Sequence, residues 1–445
     1  MKPESKSYSV PMGETVITIE TGKLALQAGG AVTITCGETM IFAAATMDKQ
    51  PKESTDFFPL TIDYEERMYA GGRIPGSFFR REGRPSTDAI LLARLTDRPI
   101  RPLFSKDMRN PVQIIMVSFS SDGINPIDIL GINAASAALS ISDIPWSGPI
   151  GAVRVGRIDG KFIVNPTFQQ IEESDLDLRV AGTKEAISMV ECGANEIPDD
   201  VMVEALAFAH DAIQPIIDLQ LKMAAEIGKP KTVVPLFPAD ESLVTKVEAR
   251  VAADIENALT IPHTKAELNA AIDELKAKMI EEFASEDESL SSAVSEAFEV
   301  SYKHVVRKRI LNLGIRPDGR NPEDIRPIWC EVGYSPRAHG SAIFTRGETQ
   351  ALTLATLGTP REAQEMDTLA PMENKRYMHH YNFPPYSTGE VKPLRGQSRR
   401  EIGHGALAER ALVPVIPDEA DFPYTIRLVS EILASNGSSS MASVC

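Results

Sequence analysis

Two short stretches of the chain carry residue types suited to gripping an anion. Residues 399–404 read Arg-Arg-Glu-Ile-Gly-His, which sets Arg399, Arg400 and His404 close together, with Gly403 leaving the backbone open to close approach. Residues 436–442 read Asn-Gly-Ser-Ser-Ser-Met-Ala, the pattern of a loop running into a helix start, with the hydroxyls of Ser439 and Ser440 beside backbone N–H groups that a first helical turn leaves free. A helix start favours negative charge, and a pair of guanidinium groups matches phosphate oxygens. Each stretch alone has a plainer reading. An arginine pair on a surface is otherwise a solvated face, and a serine run is otherwise a loop or a cap.

A third stretch, residues 78–84, reads Phe-Phe-Arg-Arg-Glu-Gly-Arg. Phe78 and Phe79 offer faces on which bases stack, while Arg80, Arg81 and Arg84 follow a phosphate backbone, a combination suited to single strands of any sequence. The flanking Gly76-Ser77 and Gly83 favour an exposed loop over a core position for the two phenylalanines. Between residues 73 and 109 there are nine Lys and Arg against four Asp and Glu. Arg94, Arg98 and Arg101 fall here, where Asp88 and Asp97 offer ordinary ion pairs as the alternative. His379-His380 suggests a metal, but neighbouring strand residues point to opposite faces, so no metal is assigned to the pair.

The elements that must position these groups follow from periodicity. Residues 14–47 alternate apolar and polar with glycine breaks, as strands joined by tight turns. Residues 68–86 read as a long exposed loop, 88–98 as a helix stopped by Pro99 and Pro102, and 112–120 as a strand. Residues 127–142 are rich in small residues and predict a closely packed buried helix. Strands follow at 152–164 and 176–190, then one long amphipathic helix over 199–222, kinked at Pro215. Residues 229–239 are a Pro-rich linker. Residues 240–311 lack glycine and are helical throughout, without the sustained heptad of a coiled-coil arm.

A chain of 445 residues accommodates two or three domains, and 43% hydrophobic residues supply their cores. The formal net charge of −16 excludes a generally basic nucleic-acid coat, so anion binding must come from local clusters. The four cysteines are far apart with no CxxC, which points to a reducing compartment and away from zinc. No apolar leader opens the sequence and no apolar run reaches membrane-spanning length, so a cytoplasmic protein with no membrane partner is expected.

The β-rich segment from residue 312 repeats the first. Gly37-Glu38-Thr39 matches Gly347-Glu348-Thr349 at an offset of 310, and 98–102 lies where 410–414 lies at an offset of 312. Ser435-Asn436-Gly437 matches Ser121-Asp122-Gly123 at an offset of 314. This is an internal duplication with a helical insert. At the 312 offset Arg399-Arg400 faces Thr87-Asp88, so the second copy carries the anion chemistry and the first lacks it.

Together the duplication, the helical insert, the Phe-Phe-Arg-Arg loop, Arg-Pro-Asp-Gly-Arg at 316–320 and the Arg-Arg-Glu-Ile-Gly-His stretch resemble the bacterial polyribonucleotide nucleotidyltransferase (polynucleotide phosphorylase) family over essentially the whole chain. The resemblance implies an α+β fold of duplicated RNase PH-like (ribosomal protein S5 domain 2-like) domains with an all-α domain between them. The first copy would be 1–228 and the all-α domain 240–311. Residues 312–445 would be the N-terminal part of an incomplete second copy.

The resemblance further implies a homotrimeric ring that degrades single-stranded RNA from the 3′ end with inorganic phosphate, reversibly, to nucleoside diphosphates in mRNA turnover. RNA-degradosome components are implied partners, and DNA is not. Arg399, Arg400 and His404 would be catalytic, with Ser439 and Ser440 on phosphate. Phe78, Phe79, Arg80, Arg81, Arg84, Arg94, Arg98 and Arg101 would contact RNA. The Mg2+ ligands, with KH and S1 domains, are expected beyond Cys445, so residues 1–445 alone are expected to be inactive. The alternatives are a non-catalytic RNA-binding ring component or a helical adaptor scaffolded by its β-domains.

Overall fold

The structure, a computed structural model, describes residues 3–52, 55–285, 287–372 and 374–445. Alternating side chains build the first sheet from β1 (Lys6–Met12), β2 (Thr15–Thr21), β3 (Gly30–Cys36), β4 (Thr39–Met47), β5 (Leu60–Glu65) and, after helix α1 (Thr87–Ile100), β6 (Val112–Ser120). In β4 the inward positions are Thr39, Ile41, Ala43 and Ala45, each fully buried. The strand order is β1-β2-β3-β4-β6-β5, antiparallel except for the parallel β5–β6 pair. Helix α2 (Asp128–Ile141) is buried all round from Ile129 to Ile141, as its small apolar composition requires. It lies so close to β3 that a Cβ at Gly30 would meet the Ala138 carbonyl at 2.1 Å.

A second sheet comprises β7 (Gly151–Ile158), β8 (Lys161–Val164), β9 (Leu176–Gly182) and β10 (Ile187–Ala194), with α3 (Phe168–Glu173) between β8 and β9. A buried ion network joins it to the start of α2. Arg179 donates to Asp128 at 2.6 Å and Arg154 to Asp177 at 2.6 Å. Burial alone would raise the Asp128 carboxyl, but Arg154 and Arg179 outweigh it and hold it down at about 2.

Three expectations change here. Residues 199–227 form two helices, α4 (Asp199–Ala212) and α5 (Gln214–Ile227), rather than one kinked helix, because Pro215 sits in the first turn of α5 where no N–H is needed. Helix α1 runs through Pro99 to Ile100, the proline falling in its last turn. Residues 68–71 form a 3-10 turn with Met68 and Ala70 buried against Leu369 of the second copy, so only the later part of that stretch is an exposed loop.

Residues 229–236 lie along the first copy. The Lys231 ammonium bonds the Leu139 and Ser142 carbonyls at 2.8 Å each, covering the end of α2. Helices α6 (Glu241–Thr260), α7 (Lys265–Ala284) and α8 (Ser291–Leu313) then close around Val247, Val251, Ile255 and Phe298, a core of their own.

The second copy adds β11 (Ile328–Val332), β12 (Gly340–Arg346), β13 (Thr349–Gly358), the short pair β14 (Gln364–Glu365) and β15 (Asn374–Lys375), β16 (Tyr377–Asn382), α9 (Arg399–Leu412), β17 (Thr425–Ala434) and α10 (Ser439–Val444). Its sheet order, β11-β12-β13-β17-β16, repeats β2-β3-β4-β6-β5, again with the last pair parallel. The register irregularity between Met40 and Ile41 recurs between Gln350 and Ala351. Helices α1 and α9 match in length, and each has a serine N-cap, Ser86 and Ser398. The fold is thus an internal duplication with a helical domain between the copies, the arrangement the resemblance implies.

Asp128→Ala leaves two buried guanidinium groups without their shared carboxylate. It should cost about 3–5 kcal/mol of stability at neutral pH, read by urea unfolding. A loss below about 1 kcal/mol would show that the network contributes little.

Candidate active site

The site is assembled on α9, β16 and α10. Ser398 caps α9 in a reciprocal box with Glu401, whose carboxylate accepts the Ser398 N–H at 2.7 Å and the Phe383 N–H at 2.8 Å. The cap fixes the first turn, and the turn aims its two arginines apart. Arg400 lies over the Phe383 ring, 4.5 Å from its centroid. Arg399 reaches the first copy instead, donating to the Ile62 carbonyl at 2.6 Å and pairing with Asp63.

Tyr381, 1% exposed, is the hub. Its hydroxyl shares a 2.6 Å hydrogen bond with Ser439 Oγ, and its ring meets His404 edge-on at 5.0 Å between centroids and stacks on Phe383 at 6.3 Å. His404, one turn beyond Arg400, has a buried Nδ1 with no hydrogen-bond partner among the described residues. Burial, then the charges of Arg400 and Arg94, lower its pKa to about 4, so the ring is neutral at pH 7. The Arg94 guanidinium of α1 reaches this ring by lying on Gly403, where a Cβ would meet its Nε at 2.3 Å. Ser439 and Ser440 are both buried at the start of α10.

The remaining cations separate into two groups. Phe78 and Phe79 are 93% and 84% exposed and touch each other edge-to-face at 5.4 Å. Arg80 folds back toward the Pro75 and Gly76 carbonyls at 3.4 Å, and Arg81 and Arg84 are exposed beside it. Arg98 pairs with Glu191 at 3.2 Å. Arg101 takes the ion-pair alternative, on Asp97 at 2.6 Å, and also bonds the Phe58 and Leu60 carbonyls. His379 and His380 face opposite sides of β16. His379 is buried between Tyr377 and Ser430, and His380 meets Arg427.

The sheet register shows what stands at the same places in the first copy. Tyr64 lies opposite Met116 as Tyr381 lies opposite Ser430, so Glu66 takes the place of Phe383, and the helix caps Ser86 and Ser398 put Asp88 at that of Arg400. Burial raises both carboxyl groups above the usual carboxylate range. The first copy also fills its own loop. Asp122 Oδ1 accepts the N–H groups of Ile124 and Asn125 at 2.8 Å each, and the Asp122 carboxyl, although burial opposes it, is held down at about 2 by these and further hydrogen bonds. Asn436 stands there in the second copy, and the hydrogen bond from the loop N–H to the turn threonine is kept, from Asp122 to Thr39 and from Asn436 to Thr349.

Sequence reasoning missed Tyr381, Phe383, Glu66 and Asp122. No local pattern marks Tyr381 or Phe383, and only the paired registers reveal their counterparts.

No group of three or more His, Cys, Asp or Glu side chains placed to hold a metal occurs among the described residues. The nearby carboxylates are engaged, Glu401 in the cap and Glu409 with Lys375 and the His379 N–H. The residues described do not fit Mg2+.

The 3′ exoribonuclease family model for domain 1 matches residues 16–145 and 324–445, that for domain 2 matches 148–212, and the polyribonucleotide nucleotidyltransferase RNA-binding domain matches 242–321. The chain belongs to the 3′ exoribonuclease family. It is 51% identical over 445 residues to the Halalkalibacterium halodurans polyribonucleotide nucleotidyltransferase, covering 100% of this chain and 63% of that protein. To the Heliobacterium modesticaldum enzyme of the same name it is 52% identical over 441 residues, covering 98% and 62%. The chain therefore spans less than two thirds of the length of these curated relatives. Among solved structures, rice Rrp46 aligns over 50% of the chain with a TM-score of 0.37 at 12% identity. No helix among the described residues is long and apolar enough to cross a membrane.

His379 and His404 are both held near 4, against about 6.5 in an unfolded chain. Between these values the unfolded chain binds more protons, so stability falls as pH is lowered from about 6.5 to about 4. His379→Asn and His404→Gln should each flatten that part of the stability–pH curve, measured by urea unfolding at several pH values. Slopes identical to wild type would refute the assignment.

Proposed function

We propose that these residues form the core of a 3′→5′ phosphorolytic exoribonuclease, which in mRNA turnover degrades single-stranded RNA with inorganic phosphate to nucleoside diphosphates and runs reversibly as a polymerase. The observation that carries the reading is the convergence of Arg400, His404 and Ser439 on Tyr381 in the second copy alone, with Asp88 at the place of Arg400 in the first.

In this reading phosphate attacks the 3′-terminal phosphodiester in line, its oxygen bonding the phosphorus as the preceding ribose 3′ oxygen leaves. Two anions must be held together while negative charge spreads over the equatorial oxygens, so fixed cations and donors are what the reaction needs. Arg400, held over the Phe383 ring, supplies charge, and Arg399 flanks it. Ser439 and Ser440 offer hydroxyl and backbone N–H groups to phosphate. His404, neutral at pH 7, donates one N–H without adding a second charge beside Arg94 and Arg400. The reaction as proposed uses Mg2+, whose ligands are not among the described residues.

RNA would approach over Phe78 and Phe79, with Arg80, Arg81 and Arg84 on its backbone, and then pass Arg94, Arg98 and Arg101 toward Arg400. A homotrimer would ring several such loops around one strand. A cytoplasmic location and degradosome partners complete the proposal.

In a full-length form matching the relatives, Arg400→Gln should lower phosphate-dependent release of nucleoside diphosphate by ~10²–10³-fold. The products of a short single-stranded RNA, separated by chromatography with and without phosphate, provide the measurement. Release that does not depend on phosphate in the unaltered protein would overturn the reading. Replacing Phe78 and Phe79 with Ala should weaken RNA binding by about 1–3 kcal/mol per lost stack while phosphate affinity holds. Unchanged RNA affinity together with lost stability would make the pair structural.

A further inference from the structure

The loop that leads into α10 is held from behind. Four successive carbonyls are bonded by cationic side chains. Lys265 Nζ donates to the Ser435 carbonyl at 3.2 Å, Arg326 to that of Asn436 at 2.9 Å, and Arg346 to those of Gly437 and Ser438 at 3.4 and 3.1 Å. A trans peptide unit points its C=O and the next N–H in opposite directions. The cations therefore aim the N–H groups of Gly437, Ser438 and Ser439 away from themselves. Among the described residues none of these three amides has an acceptor.

The first copy reaches the opposite outcome at the same place. Asp122 turns its carboxylate onto the N–H groups of Ile124 and Asn125, the counterparts of Ser438 and Ser439, and fills the position an anion would take. Asn436 replaces Asp122, and its carboxamide oxygen could fill the same position. The carboxamide is drawn off instead. Asn436 Nδ2 donates to Glu348 at 3.0 Å. Glu348 is itself anchored by the first residue of α7, the Lys265 N–H donating to its two oxygens at 3.2 and 3.4 Å. The free N–H groups of a helix start are suited to that carboxylate.

We propose that Glu348 is a positioning residue for the anion site. Docked on the N-terminus of α7, it withdraws Asn436 from the loop and keeps the Ser438 and Ser439 amides open to phosphate. The helical insert thereby becomes part of the phosphate site it does not touch. This rests on the phosphorolytic reading above.

The test uses the full-length protein, inorganic phosphate and a short single-stranded RNA. Glu348→Ala releases the Asn436 carboxamide to fold back as Asp122 does. The KM for phosphate should rise about fivefold, the loss of one or two exposed charge-assisted hydrogen bonds, with kcat and the KM for RNA unmoved. Adding Asn436→Ala to Glu348→Ala removes the group that folds back, so the KM should return toward the wild-type value. A merely structural role for Glu348 predicts the reverse, a double variant at least as impaired as the single one. Glu348→Gln, which keeps an acceptor for Lys265 and Asn436, should lie between.

An unchanged phosphate KM in Glu348→Ala, or a double variant worse than the single, overturns the inference and leaves the phosphorolytic reading standing. If the wild-type protein shows no phosphate dependence, both fall together. Phosphate titration without RNA, followed by amide exchange over residues 435–441, gives a readout independent of turnover. Protection that appears in wild type and not in Glu348→Ala supports the proposal, and equal protection in both overturns it.

Discussion

The hydrogen bond between Tyr381 and Ser439 is the contact on which the site depends. Both groups are buried, so each must find a partner inside the protein or leave a polar atom unsatisfied at a cost of about 1–3 kcal/mol. By finding each other they tie the end of β16 to the start of α10. The same tyrosine ring is a wall for His404 and a stacking surface for Phe383, which in turn carries Arg400. One strand residue thus sets the relative positions of a hydroxyl, an imidazole and a guanidinium that come from three elements.

The duplication shows how little backbone change separates a site from a filled counterpart. Strand order, the parallel last pair and the serine cap of the helix are common to both copies. The difference lies in side chains at matching positions, Glu66 for Phe383, Asp88 for Arg400 and Asp122 for Asn436. Each exchange places a carboxylate in the first copy where the second has an aromatic, cationic or neutral group. A carboxylate repels an anion and, in the case of Asp122, occupies the backbone N–H groups directly.

The two copies are also bound to each other by cations that serve the backbone. Strand β5 lies at the edge of its sheet, with a row of carbonyls open to pairing. Arg101, the residue after α1, bonds that of Leu60 and that of Phe58 just before the strand, and Arg399 from α9 bonds that of Ile62. Glu191 receives Arg98 at 3.2 Å and Arg410 at 2.8 Å, two arginines related by the 312-residue repeat. These contacts fix α9 against the first copy, so the direction of Arg400 is set by both copies together.

Much of this was legible from local pattern. The strand Val112–Ser120 and the buried helix Asp128–Ile141 follow from alternation and small-residue composition, and the repeat follows from two Gly-Glu-Thr turns at matching distances. The contrast of Arg399-Arg400 with Thr87-Asp88, and the exposure of Phe78 and Phe79, were also readable from neighbouring residue types. The tertiary structure alone decided that Tyr381 is the hub, that Arg399 turns to Asp63 while Arg400 does not, and that Lys265 and Glu348 stand behind the serine loop. The reason is physical. Periodicity reports which face of an element is buried, a property of residues a few positions apart. Which polar group meets which across 58 residues, as for Tyr381 and Ser439, or 336, as for Asp63 and Arg399, depends on sheet register and helix docking that no local pattern encodes.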